Sequence, residues 1–110
     1  MSAAARRGAL VAALAERELD GMFVTTLVNV RYLTGFTGSN GALLVPASGE
    51  PVFFTDGRYR DQAADELPDV DHVIGRDLVG GAADRMTSGR WATETHTLSV
   101  DAHRALTGRL

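Results

Sequence analysis

Apolar residues along this chain fall into short runs separated by glycine, proline and acidic positions. Leu10, Val11 and Leu14 lie at i, i+1 and i+4, one stripe of an amphipathic helix. That helix is expected to end near Asp20, with Gly21 in the left-handed position that follows a helix. Residues 22–26 (MFVTT) read as a short buried strand. Residues 29–34 predict a turn of helix with Asn29 as its cap, and residues 35–41 break all regularity. Two further apolar runs, 42–46 and 51–55, flank the turn ASGE and predict a hairpin.

A helix is expected over 58–66. It stops before Pro68, because the residue preceding proline disfavours helical dihedrals. Residues 70–74 (VDHVI) give the next strand. Asp77 is a candidate cap for a helix to about residue 88, weakened by Gly80 and Gly81. A strand over 97–101 and a helix over 102–110 complete the pattern. Helices alternating with short strands predict the α/β class, a mixed β-sheet covered by helices. The helical pattern of HRALTGRL runs to the last residue without a cap, which predicts a chain cut from a longer protein.

Composition narrows the function classes. The chain has 110 residues, enough for one domain with one modest core. Its formal net charge of -3 gives no electrostatic footprint for nucleic acid. With no cysteine, disulfides, thiolate metal sites and a cysteine nucleophile are excluded. Arg6, Arg7 and the run to Ala15 resemble a leader peptide. The apolar run is short and Glu16, Glu18 and Asp20 follow at once, so a helix is the better reading. No stretch approaches the roughly 20 apolar residues that cross a bilayer.

Candidate chemistry centres on GFTGSNG. Its backbone N–H groups could cradle a phosphate, yet the spacing is G-x-x-G-x-x-G, no lysine follows, and the next element reads as a strand. The plainer reading is a sharp loop whose glycines supply positive φ. In FTDGRY, Asp56-Gly57 is a turn signal and Asp56 a helix cap. Arg58 is either an anion ligand or a structural pin for a carboxylate. Asp56, Asp61, Asp65, Glu66, His72, His96 and His103 are the possible metal ligands. Asp61 and Asp65 share a helix face that no histidine joins, so a solvated acidic face is expected and no metal site. Ser39 lies outside the G-x-S-x-G hydrolase motif. Tyr32, Phe36, Phe53, Phe54 and Tyr59 are expected to fill the core around the hairpin, and Trp91 to be a surface or interface residue.

NVRYLTGFTGSNGALLV, followed by PVFFTDGRY and Gln62-Ala63, resembles the amino-terminal domain of the creatinase/prolidase group of pita-bread metallopeptidases. Xaa-Pro aminopeptidases and Xaa-Pro dipeptidases match best. Tyr32, Gly35, Asp56, Arg58 and Tyr59 carry the motif, and the similarity covers essentially the whole chain. The resemblance implies a ribonuclease H-like α/β domain, residues 1–110, of a cytoplasmic enzyme that cleaves the bond before proline. It implies that chemistry belongs to a separate carboxy-terminal domain holding two divalent ions, commonly manganese, with no catalytic residue, cofactor or metal in these residues. The partners implied are a second copy of the protein, in a homodimer or higher oligomer, and Xaa-Pro peptides, with neither nucleic acid nor membrane.

The same resemblance places Phe36, Thr37, Gly38, Ser39, Asn40 and Gly41 at the mouth of a neighbouring subunit's pocket. There they would exclude long peptides sterically and hydrogen-bond substrate through Ser39 or Asn40. The loop holds no charged residue, so no salt bridge to substrate is expected from it. Equally open is a loop that simply turns the chain, and two alternatives stay open for the domain as a whole. One is a binding module related to pita-bread proteins that lack metal ligands. The other is a creatinase domain, against which the missing loop cation argues.

Overall fold

The computed structural model describes residues 2–86 and 89–94. Its elements follow the order α1 (Ala3–Glu16), β1 (Gly21–Val24), α2 (Leu27–Thr34), β2 (Ala42–Pro46) and β3 (Val52–Thr55). A turn of 3-10 helix (Gly57–Tyr59) then leads into α3 (Arg60–Glu66), β4 (Asp71–Ile74), α4 (Leu78–Ala83) and β5 (Trp91–Thr93). The strands form one mixed sheet in the order β4-β3-β2-β1-β5. β2 pairs antiparallel with both β1 and β3, whereas β3–β4 and β1–β5 are parallel.

The short apolar runs are continuous because both faces of this sheet are covered. Successive side chains of a strand point to opposite faces. Val24, Leu43, Val45 and Phe53 therefore join Leu14, Val30, Leu33, Phe36 and Leu67 beneath α1, α2 and α3. Phe23, Ala42, Leu44 and Phe54 face the other way, onto Ala82, Ala83 and Met86 at α4. Each fully buried large apolar side chain stabilises by about 1.5–3 kcal/mol. A one-residue slip of β2 against its neighbours would exchange the two sets.

The predicted hairpin is present, with Leu43 opposite Phe53 and the turn closed by the Gly49 N–H on the Pro46 carbonyl at 2.9 Å. Asp56 caps the helical turn that follows it, and α3 ends at Glu66, with Leu67 as its C-cap ahead of Pro68. Asp77 caps α4, which stops at Ala83 rather than near residue 88. The strand expected over 97–101, the helix over 102–110, and His96 and His103 lie outside the described residues.

Three local expectations are corrected. The first helix ends at Glu16, and Glu18, with φ 56, takes the left-handed turn assigned to Gly21. Gly21 opens β1 instead, where a Cβ would stand 2.3 Å from the Trp91 ring and 2.7 Å from the Val45 carbonyl oxygen. Asn29 is not a cap; Thr26 occupies that position, and the Asn29 amide reaches across to Glu94. Trp91, expected at a surface or interface, is half-buried in β5 and packs on the core beside α4.

Candidate functional site

The loop between α2 and β2 is built by its neighbours, residue by residue. Gly35 ends α2 in the left-handed conformation, with φ 83, where a side chain would be strained. The chain then turns inward. Phe36 is 1% exposed, its ring 4.7 Å from that of Phe53 and 5.6 Å, edge-on, from that of Tyr59. Phe36 is thus a core anchor and does not reach the loop's exposed tip. Tyr32, expected in the core, is 55% exposed and lies under the Arg6 guanidinium at 4.4 Å.

Beyond Phe36 the loop surfaces at Thr37 and Ser39, with Gly38 and Asn40 half-buried and Gly41 buried. Every polar residue there has a partner. Thr37 donates its backbone N–H and its hydroxyl to the two oxygens of Glu66, at 3.0 and 2.8 Å. Gln62 donates to both Thr37 Oγ1 and Glu66 Oε1. Ser39 shares a hydrogen bond with the Tyr59 hydroxyl. The Asn40 amide donates to Asp56 at 2.6 Å, and the Thr55 hydroxyl donates to the Asn40 carbonyl.

Gly38 and Gly41 serve close packing. A Cβ on Gly38 would stand 2.3 Å from the Phe36 ring and 2.9 Å from that of Tyr59, and one on Gly41 would stand 2.8 Å from Phe53. The expectation that these glycines supply positive φ therefore holds for Gly35 and not for them.

The second half of the motif braces the first. Asp56 accepts the Arg58 backbone N–H, the Arg58 Nε at 3.0 Å and a terminal guanidinium nitrogen at 2.9 Å. The Arg58 fork and the Asn40 amide hold the Asp56 carboxyl well below the usual carboxylate range. Arg58 keeps a side chain 71% exposed, but its fork is committed to Asp56, which is the pin geometry of the two readings. The hydrogen bond shared with Ser39 draws the Tyr59 hydroxyl below its ordinary value. Burial raises the Glu66 carboxyl, and the donors on Thr37 and Gln62 outweigh it, so the net direction is down.

This arrangement can present shape and hydrogen-bonding groups. Among the described residues no three His, Cys, Asp or Glu side chains converge to hold a metal ion. Asp56 and Glu66 are engaged as above, and His72 Nε2 meets the Leu67 carbonyl at 2.9 Å. The described residues thus offer no ligand set for the two ions, which the resemblance assigns to a separate domain. Also among the described residues, no helix is long and apolar enough to cross a membrane. Beside the loop tip, a shallow depression of about 180 Å³ is lined by Leu27, Val28, Arg31, Phe36, Thr37 and Gly38. Val28, 76% exposed, stands at its rim.

Sequence reasoning missed Glu94. Its carboxylate accepts the backbone N–H groups of Thr25 and Thr26, each at 2.8 Å, and the Asn29 amide at 2.7 Å. An anion at the amino end of α2 also complements the helix dipole. Nothing in RWATE announces this, because all three partners lie more than sixty residues upstream.

Comparison with known proteins agrees with this fold. The N-terminal domain of the cytoplasmic peptidase PepQ from Mycobacterium tuberculosis H37Rv is 46% identical, with a TM-score of 0.90 over 96% of this chain and 85% of that one. The Xaa-Pro dipeptidase from Bacillus anthracis is 25% identical, with a TM-score of 0.87 over 99% of this chain and 32% of that one. The uncharacterized peptidase YqhT of Bacillus subtilis (strain 168) is 41% identical over 71 residues, 64% of this chain. That match spans 20% of the length of YqhT. The Creatinase/Prolidase N-terminal domain family matches over residues 6–110. The chain belongs to the creatinase/prolidase N-terminal domain family, as its YLTGF and TDGRY segments implied.

Proposed function

We propose that this chain is the non-catalytic amino-terminal domain of a metal-dependent Xaa-Pro peptidase, a proline-specific aminopeptidase or dipeptidase of the cytoplasm. In that protein it contributes to oligomerisation and to the mouth of a neighbouring subunit's active site. The two divalent ions, taken to be manganese, belong to a separate catalytic domain, and the substrates are Xaa-Pro peptides. The observation that carries the reading is the Thr37–Asn40 tip, exposed at Thr37 and Ser39 yet pinned at every polar residue. Such a tip can exclude bulk from a pocket without an ordering cost at each binding event. The apolar rim at Leu27 and Val28 beside it suits contact with another protein surface.

The test assays the purified 110-residue chain, and the longer protein that carries it, on an Xaa-Pro dipeptide with added manganese. Turnover by the longer protein alone is expected. Metal-dependent turnover by the isolated chain, or none by the longer protein, overturns the proposal.

A further inference from the structure

We propose that Glu66 is a positioning residue for the loop: through Thr37 it sets how far the tip projects, and so which peptide lengths the pocket mouth admits. The inference rests on the proposed gating role and names a residue that no motif marks. Phe36 is locked into the core at one end of the tip, and Asn40 is tied to Asp56 at the other. Between them, Thr37 is the residue whose backbone could lift away from α3. Glu66 prevents this with two oxygens on one residue, holding both the N–H and the hydroxyl of Thr37. Gln62, one turn earlier on the same helix, closes the arrangement by donating to both. Two donors on one carboxylate fix direction as well as distance, which a single hydrogen bond does not. A rigid helix end thereby becomes the datum from which the tip is measured.

The experiment has two readouts. In the 110-residue chain, amide hydrogen exchange is followed at Thr37 and at Val30, whose N–H is bonded to the carbonyl of Thr26, the N-cap of α2. Glu66→Ala is expected to accelerate exchange at Thr37 about tenfold or more while leaving Val30 protected. Thr37→Val removes only the hydroxyl, and is expected to loosen the tip less. Asp65→Ala, which removes the same charge from the exposed side of α3, is expected to change neither. In the longer protein, Glu66→Ala is expected to shift the ratio of KM values for an Xaa-Pro tripeptide and dipeptide about threefold or more, with kcat for the dipeptide unchanged.

Unchanged exchange at Thr37 in Glu66→Ala overturns the clamp. If that variant fails to fold, Glu66→Gln is read by the same criteria. Accelerated exchange with an unchanged KM ratio overturns the positioning role and leaves Glu66 a structural residue. A longer protein that cleaves no Xaa-Pro peptide overturns the proposed function, and the positioning role with it, while exchange still decides the clamp.

Discussion

The ring of Phe36 meets the ring of Phe53 at 4.7 Å between centroids, tilted by 56°, so the loop's first residue is part of the sheet's core. Phe36→Ala is expected to cost about 3–5 kcal/mol of stability, the range for emptying a buried phenylalanine site. Urea unfolding of the 110-residue chain checks this. A loss below about 1 kcal/mol would mean the ring contributes little.

Two glycines near the loop should respond to the same substitution by different amounts. Gly38→Ala places a methyl against rings already held by Phe53 and Ser39, and is expected to cost about 1–3 kcal/mol. Gly57→Ala meets nothing within 4 Å and should stay within about 0.5 kcal/mol of the parent. Thermal unfolding of both variants gives the comparison, and equal losses would remove the packing explanation.

The hairpin, the Asp56 cap and the stop before Pro68 were readable because each is set by residues adjacent in sequence. The family resemblance rested on the same local segments, YLTGF and TDGRY. What stayed hidden depends on distant partners. Asn29 looks like a cap until Glu94, 65 positions away, is seen to claim its amide. Gly21 looks like a helix end until the Trp91 ring is seen pressed against it. β5 has only three residues and no apolar run, so pairing with β1 defines it. Phe36 carried two compatible labels, aromatic core and loop, and only its burial separates them.

Removal of the Glu94 carboxylate should loosen the start of α2. Glu94→Ala leaves the N–H groups of Thr25 and Thr26 and the Asn29 amide short of an acceptor, at an expected cost of about 1–3 kcal/mol. Glu94→Gln keeps one acceptor and should fall between it and the parent. Denaturant unfolding ranks the three, and a parent-like Glu94→Ala would show that the contact is dispensable.

Acid should destabilise the fold through Glu94 and Glu66, and also through Asp56, whose carboxyl the Arg58 fork and the Asn40 amide hold low. At Glu94, burial raises the carboxyl, but the Asn29 amide and the Thr26 and Thr25 N–H groups outweigh it, and the net direction is down. Glu66 behaves alike. The unfolded chain, with ordinary glutamates near pH ~4.3, therefore takes up protons first as pH falls. Stability from these groups is complete above about pH 5 and is lost as the pH drops through the folded values. Unfolding free energies from about pH 6 to 3 should fall, and Glu94→Gln should flatten the decline. An equally steep decline in that variant would assign the acid sensitivity elsewhere.

The parallel pairing of Gly21–Phe23 with Trp91–Thr93 has a consequence for biosynthesis. A nascent chain can zip its first strand to the hairpin early, yet that strand's other margin waits for a segment emerging from the ribosome some seventy residues later. Until then it offers bare amides and carbonyls to any extended peptide nearby. Vulnerability to mispairing is thus concentrated in the interval before the tryptophan arrives.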